Sequence, residues 1–340
     1  MNLMRKKTPF VSVVIPCRNE EKFIRKCLKS VVNQDYPKDK LEVFVVDGMS
    51  EDKTREIVKD YEIKYPFIRI LINQKKITPA GMNFGIKEAK GEIIIKMDAH
   101  SIYPKDYIFK CVKHLIDSGA DNVGGMLKTI PGKNTLLSKA IAISLSNFFG
   151  SGPSYFRIGA KKPLEVDTVA FGCYWKKMFE KIGLYNEEMA KIEDFELNWR
   201  IRRRGGKILL FPDIIIYYYP SSEKLKDFFW HNFTDGIWST YPAKFGFFFL
   251  SFRHLVPLFF VLMAVSSLFF NPYLFILIIS SYFIISFYFS LGIARKEKSI
   301  KLLFIMPVVF FCRHFGYGLG SLWGLIKIFL NNGREKTKGN

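Results

Sequence analysis

The sequence predicts an α/β protein built on a mainly parallel sheet and followed by an apolar helical region. Three observations carry this. In the first hundred residues, short β-branched runs alternate with helix-period segments as β-α-β-α-β-α-β, which implies right-handed crossovers. One run, Ile93-Ile94-Ile95, is contiguously apolar, as in a central strand covered on both faces. Residues 274–294 carry no charge over a length able to cross about 30 Å of hydrocarbon.

The elements follow in order. Phe10 to Ile15 is a strand signal closed by Pro16. After the turn Cys17-Arg18-Asn19-Glu20, the apolar residues Phe23, Ile24, Cys27, Leu28, Val31 and Val32 recur at helical spacing. Leu41 to Val46 is a second strand, ending in Asp47-Gly48-Met49-Ser50, with a polar helix from Asp52 to about Tyr61. A third strand covers Phe67 to Ile72. Thr78-Pro79 opens a helix as N-cap and first-turn proline, and Gly91 stands where a helix-ending glycine belongs. The fourth strand follows and runs out at Asp98-Ala99-His100. Further on, 104–118 predicts a helix, Val123 to Met126 a short strand, and Glu165 to Cys173 another strand. Residues 136–149 form an apolar helix, either a core helix or one lying in a bilayer interface. The charges of 193–204 suit the macrodipole of a helix that Gly205-Gly206 ends. Beyond residue 247 come apolar segments at 255–270, 274–294 and 302–330. The last is interrupted by Arg313-His314 and loosened by four glycines, so it reads as a third span, a re-entrant element or an interfacial helix.

The formal net charge is +20, which admits nucleic acid or anionic lipid as partner; the long apolar segments favour lipid, and nucleic acid is not expected. The five cysteines are scattered with no C-x-x-C pair, against a zinc ribbon or disulfide scaffold. With no signal-peptide pattern ahead of the first strand, and with Arg295-Lys296-Glu297-Lys298 after the second apolar segment, the expected topology is a multi-pass cell-membrane protein with its N-terminal part in the cytoplasm.

Strand ends are where open α/β sheets bind ligands. Glu20, Asp47 and Asp98 would collect there. Asp98 and His100, two apart in extended chain, point the same way and would share one divalent cation; otherwise they merely begin a loop. Neither a dinucleotide glycine fingerprint nor a Walker A motif is present.

Four motifs in order, Val13-Val14-Ile15-Pro16-Cys17-Arg18-Asn19-Glu20, Val45-Val46-Asp47-Gly48, Met97-Asp98-Ala99-His100 and Glu193-Asp194, resemble family 2 glycosyltransferases of the GT-A (nucleotide-diphospho-sugar transferase) fold. Asp98-Ala99-His100, Val166-Asp167-Thr168-Val169, Glu196-Leu197-Asn198 and Arg253-His254-Leu255-Val256-Pro257 are similar to the succinoglycan-biosynthesis glucosyltransferase branch. The resemblance covers roughly residues 10–260. It implies a mixed, mainly parallel GT-A sheet in a catalytic domain of residues 1–240, with a membrane-associated region at 241–340. It also implies inverting transfer from a nucleotide sugar. Carried over, Pro16 and Glu20 line the nucleoside pocket and Asp47 contacts the base. Asp98 and His100 hold Mn or Mg against the diphosphate, and Asp194 is the catalytic base. Lys75 or Lys76 would add charge near the diphosphate or simply face solvent.

Two positions depart from the pattern. His100 replaces a second Asp, which leans toward Mn, and Gly48 replaces another. The region Trp230-His231-Asn232-Phe233 also lacks the Q-x-x-R-W of processive synthases, so single-sugar addition is expected. The reaction implied is transfer of a hexose, glucose from UDP-glucose foremost, onto a lipid-linked saccharide at the cytoplasmic membrane face. A polyprenyl-monophosphate sugar synthase and an inactive membrane scaffold are the alternatives.

Overall fold

The computed structural model describes residues 8–245 and 251–336. The chain begins with β1 (Val11–Cys17), α1 (Ile24–Val32), β2 (Leu41–Asp47), α2 (Thr54–Lys64), β3 (Ile68–Ile72), α3 (Thr78–Glu88) and β4 (Ile93–Lys96). It continues with β5 (Ser101–Ile102), α4 (Tyr107–Ser118), β6 (Asn122–Thr129), α5 (Leu136–Leu145), α6 (Phe148–Ser151) and α7 (Tyr155–Ile158). Then come β7 (Leu164–Glu165), β8 (Ala170–Trp175), α8 (Lys176–Ile182), α9 (Glu193–Arg203) and β9 (Ile208–Tyr218). The chain closes with α10 (Leu225–Thr240), α11 (Phe252–Phe270), α12 (Pro272–Lys296) and α13 (Lys301–Lys336). It divides into two compact units, 1–128 with 159–219, and 129–158 with 220–340.

The first unit holds one mixed sheet in the order β3-β2-β1-β4-β8-β6-β9-β5, with β7 beside β9. The β1–β4 half is parallel, as the βαβ alternation requires. Strand β8 enters antiparallel to β4 and to β6, and β5 and β7 run antiparallel to β9. The apolar run of β4 is buried along its whole length, between β1 and β8. Registers Cys17↔Asp47 and Val14↔Lys96 bring the carboxyl ends of β2, β1 and β4 to one edge of the sheet. Gly91 serves a different purpose from ending a helix. Its N–H donates to Ser12 Oγ at 2.8 Å, and a Cβ there would sit 2.5 Å from Ser12 N, so β4 can enter beside β1 only with a glycine.

One strand expectation changes, and one long strand has no counterpart among the expectations. The single strand over 165–173 is two pieces, β7 and β8, separated at 166–169. The eleven-residue β9 carries Pro212-Asp213 at its centre, which masks a strand in the sequence because proline removes a ladder donor.

In the second unit, α5 stops at Leu145 and Asn147 caps a new short helix, its Oδ1 accepting from Phe149 N at 2.9 Å. The 136–149 segment is therefore two helices. Buried Ala140, Ile141, Phe228, Leu302, Met306 and Phe310 form this unit's core. Helices Phe252–Phe270, Pro272–Lys296 and Lys301–Leu330 are each long and apolar enough to cross a membrane. The glycines of α13 do not loosen it: the helix is continuous, and Gly320 lies against the Phe233 carbonyl of α10 so closely that a Cβ would collide.

Candidate active site

The loop after β1 is latched to the loop after β2. Asn19 N–H donates to Ser50 Oγ at 2.9 Å, Glu51 N–H to Asn19 Oδ1 at 2.9 Å, and Glu20 N–H to Thr54 Oγ1 at 2.7 Å. Asp47 is fully buried, accepts from Ser50 N–H at 3.1 Å and lies 3.4 Å from Arg55 Nε. It thus orders the turn that follows β2. Pro16 is half-buried at the end of β1.

Asp98 and His100 do converge. The imidazole Nε2 is 3.1 Å from Asp98 Oδ2, while Nδ1 is 3.0 Å from Glu20 Oε1. Tyr218 packs over the ring at 5.2 Å and Phe23 at 6.4 Å. Burial disfavours the charged imidazole, but Asp98 and Glu20 outweigh it and raise His100 well above the usual histidine range. Glu20, expected only at the nucleoside, is therefore also the group that orients His100.

Beside this pair lies a second charged cluster. Lys96, the last residue of β4, is buried, and its ammonium donates to Asp194 Oδ1 at 2.7 Å and to Glu193 Oε1 at 2.7 Å. Both carboxylates stand in the first turn of α9, where the helix dipole favours negative charge. Tyr185 Oη donates to Asp194 Oδ1 at 3.4 Å. Burial raises the Asp194 carboxyl to about 6, with Lys96 opposing and Glu193 adding to the rise. The N-cap of α9, Ile192, sits at φ 59°, a left-handed conformation unusual for a β-branched residue.

The family profile described as "Glycosyl transferase family 2" matches residues 12–183. A "Dolichyl N-acetyl-alpha-D-glucosaminyl phosphate 3-beta-D-2,3-diacetamido-2,3-dideoxy-beta-D-glucuronosyltransferase" of Methanococcus voltae is 30% identical over 327 residues, 94% of this chain and 98% of its own. The chain belongs to glycosyltransferase family 2. The succinoglycan biosynthesis protein ExoA of Rhizobium meliloti is 31% identical over 66% of this chain and 67% of its own. Among solved structures, the mannosyltransferase PcManGT from Pyrobaculum calidifontis, in complex with GDP-Man and Mn2+, superposes with a TM-score of 0.60 at 18% identity, over 94% of this chain and 88% of that one. The fold is thereby a GT-A one, and this family 2 member is a glycosyltransferase.

Other residues of this glycosyltransferase that the motifs single out have structural work. Asn198 is buried, accepting from Asn122 Nδ2 at 2.7 Å and donating to Thr168 Oγ1 at 2.8 Å. Arg200 forks onto Glu196 at 2.7 and 2.8 Å and donates to the Ile182 carbonyl. Lys75 bonds Glu187 Oε2 at 2.5 Å, and Asn83 holds the same carboxylate at 3.0 Å. Lys96 carries no expectation from the motifs. Its signal is nonetheless in the sequence: a lysine at the end of a buried β-branched run needs a carboxylate partner.

Among the described residues, no group of three or more His, Cys, Asp or Glu side chains converges on a metal position. Asp98 and His100 instead supply one oxygen and one nitrogen 3.1 Å apart. Glu20 on Nδ1 leaves Nε2 facing Asp98; a cation would have to displace the Nε2 proton, after which the Glu20 carboxylate would fix a ligating imidazole. Two protein groups fit a cation whose remaining positions a substrate diphosphate and water would fill, and do not fit a closed structural site.

Proposed function

We propose that this chain transfers a hexose, with inversion, from a UDP-linked donor to a lipid-linked saccharide at the cytoplasmic face of the cell membrane, with UDP-glucose as the first donor to test. The observation that carries it is the end of β4. One strand presents Lys96 to the carboxylates of α9 and, two residues later, Asp98 to His100 and Glu20. In this reading the end of β4 holds the proton acceptor of α9 through Lys96, and the segment just after it carries the diphosphate-binding pair.

In this reading Asp194 takes the proton of the acceptor hydroxyl as its oxygen attacks the anomeric carbon, and the bond from that carbon to the diphosphate breaks on the opposite face. Asp98 and His100 would hold the cation, Mn or Mg, which would supply charge stabilisation to the nucleoside diphosphate leaving group. Pro16, Glu20 and Asp47 border the nucleoside. Residues 1–240 act as the catalytic domain and 241–340 associate with the membrane. The lipid-linked acceptor is supported by the Methanococcus relative, whose name specifies a dolichyl phosphate sugar and which aligns along nearly the whole chain.

The test uses the detergent-solubilised protein, a panel of UDP- and GDP-sugars, and Mn, Mg or EDTA, with the lipid product resolved by chromatography. Metal-dependent transfer of a UDP-hexose onto a lipid-linked saccharide is the expected result. Undiminished transfer in EDTA would remove the metal role of Asp98 and His100, and a sugar joined directly to lipid monophosphate would overturn the acceptor.

A further inference from the structure

We propose that Lys96 is the positioning residue of the catalytic base: its ammonium fixes the Asp194 carboxylate at the head of α9 and shields it from the neighbouring Glu193 charge. This rests on the reading of Asp194 as the base.

The geometry is specific. The Lys96 side chain is 5% exposed, and its two carboxylate bonds of 2.7 Å both cross from the centre of the sheet to one helical turn. An unpaired ammonium at that depth would be strongly disfavoured, so the bonds are obligatory for Lys96 and hold α9 in register with β4. Because Lys96 occupies Asp194 Oδ1, the rotation of the carboxylate is set, and with it the direction of Oδ2. The pairing also accounts for Ile192. A β-branched residue at positive φ persists only where its surroundings over-determine it, and the clamp on the next two residues does so.

Among the described residues, the charged and titratable groups seen to act on Asp194 are Lys96 from β4, Glu193 from α9, Tyr174 from β8, and Tyr185 from the segment before α9. Removing the one cation among them leaves Asp194 beside Glu193 in a buried setting. The carboxylate then ionises at higher pH, and the acid limb of the rate profile moves with it.

The experiment compares wild type, Lys96→Met, Lys96→Arg, Glu193→Gln and Asp194→Asn in UDP-binding titrations with Mn and in kcat–pH profiles. For Lys96→Met the expected result is UDP affinity within about threefold of wild type, kcat at pH 7 down by about a hundredfold, and an acid limb about one pH unit higher, so that the deficit narrows by about twofold between pH 7 and about pH 8. Lys96→Arg restores most of the rate, since it keeps the cation. Glu193→Gln leaves Lys96 in place and lowers the acid limb, which tests the electrostatics even if Lys96→Met folds poorly. An unmoved acid limb in Glu193→Gln and in any folded Lys96→Met, or a rate loss that Arg does not relieve, overturns the proposal. Wild-type turnover by Asp194→Asn would instead overturn the base assignment on which it rests.

Discussion

As the proposed base, Asp194 must be ionised to accept a proton, and its carboxyl is raised to about 6 by burial. Turnover is therefore expected to fall as pH drops through about 6 and to be restored above it, a limb read from kcat against pH. Asp194→Asn is expected to reduce kcat by roughly 100- to 10,000-fold with donor binding nearly unchanged, measured by steady-state kinetics beside a UDP titration. Glu20 acts at the same scale. It grips His100 Nδ1 at 3.0 Å, so Glu20→Gln weakens the orientation of the ring and is expected to raise the Mn concentration needed for half-maximal UDP binding by roughly 10- to 100-fold. A shift in KM for donor without any change in Mn dependence would place Glu20 at the nucleoside alone.

Among the elements, α9 and α13 carry opposite kinds of constraint. α9 starts on a left-handed Ile192 with no side-chain cap. Asparagine tolerates that conformation far better, so Ile192→Asn is expected to stabilise the fold by about 1 kcal/mol, seen as a rise in thermal midpoint in detergent. In α13 the constraint is contact. Gly320 packs against the Phe233 carbonyl and Gly236 of α10 against the Tyr317 carbonyl, and neither backbone can yield without separating the helices. Gly320→Ala is therefore expected to destabilise the helical unit by about 1–3 kcal/mol, with a matching fall in midpoint; a neutral result would mean the pair is looser than its backbone contacts indicate.

At the scale of the whole molecule, the same pairing bears on which helices are expected to cross a membrane. Cys312 Sγ meets the Leu225 carbonyl at 3.4 Å, and Gly316, Gly320 and Gly324 then track Phe229, Phe233 and Thr240, so this half of α13 runs alongside all of α10. α10 bears Lys226, Asp227, His231 and Asp235. A crossing by this part of α13 would draw those groups into hydrocarbon, at about 2.5–3.5 kcal/mol for each Lys or Asp at the bilayer centre. The α11–α12 hairpin turns at the uncharged Asn271-Pro272 and carries no charged residue between Leu255 and Ala294. The expected topology is two crossings, with the C-terminus on the side of the Arg295–Lys298 turn. Reporter cysteines at Ser299 and after residue 336 should react with an impermeant thiol reagent from the same face of sealed vesicles; labelling from opposite faces would mean that α13 crosses. The five native cysteines are buried, which limits background.

Much of this was present in the chain itself. Strand and helix periodicity determined the parallel half of the sheet, and the uncharged run after Pro272 determined a membrane-length helix, because both depend on neighbours in sequence. Asp98 and His100, two residues apart, were legible for the same reason. The tertiary structure alone decided the partners of buried charge: Lys96 meets Asp194 across 98 residues, and Glu20 reaches His100 across 80. It also decided that the glycines of α13 are contact surfaces and that β9, with proline at its centre, completes the sheet. The physical reason is common to these cases. A desolvated charge or a backbone packed without side chains is favourable only in the presence of its partner, and no local pattern records which distant segment supplies it.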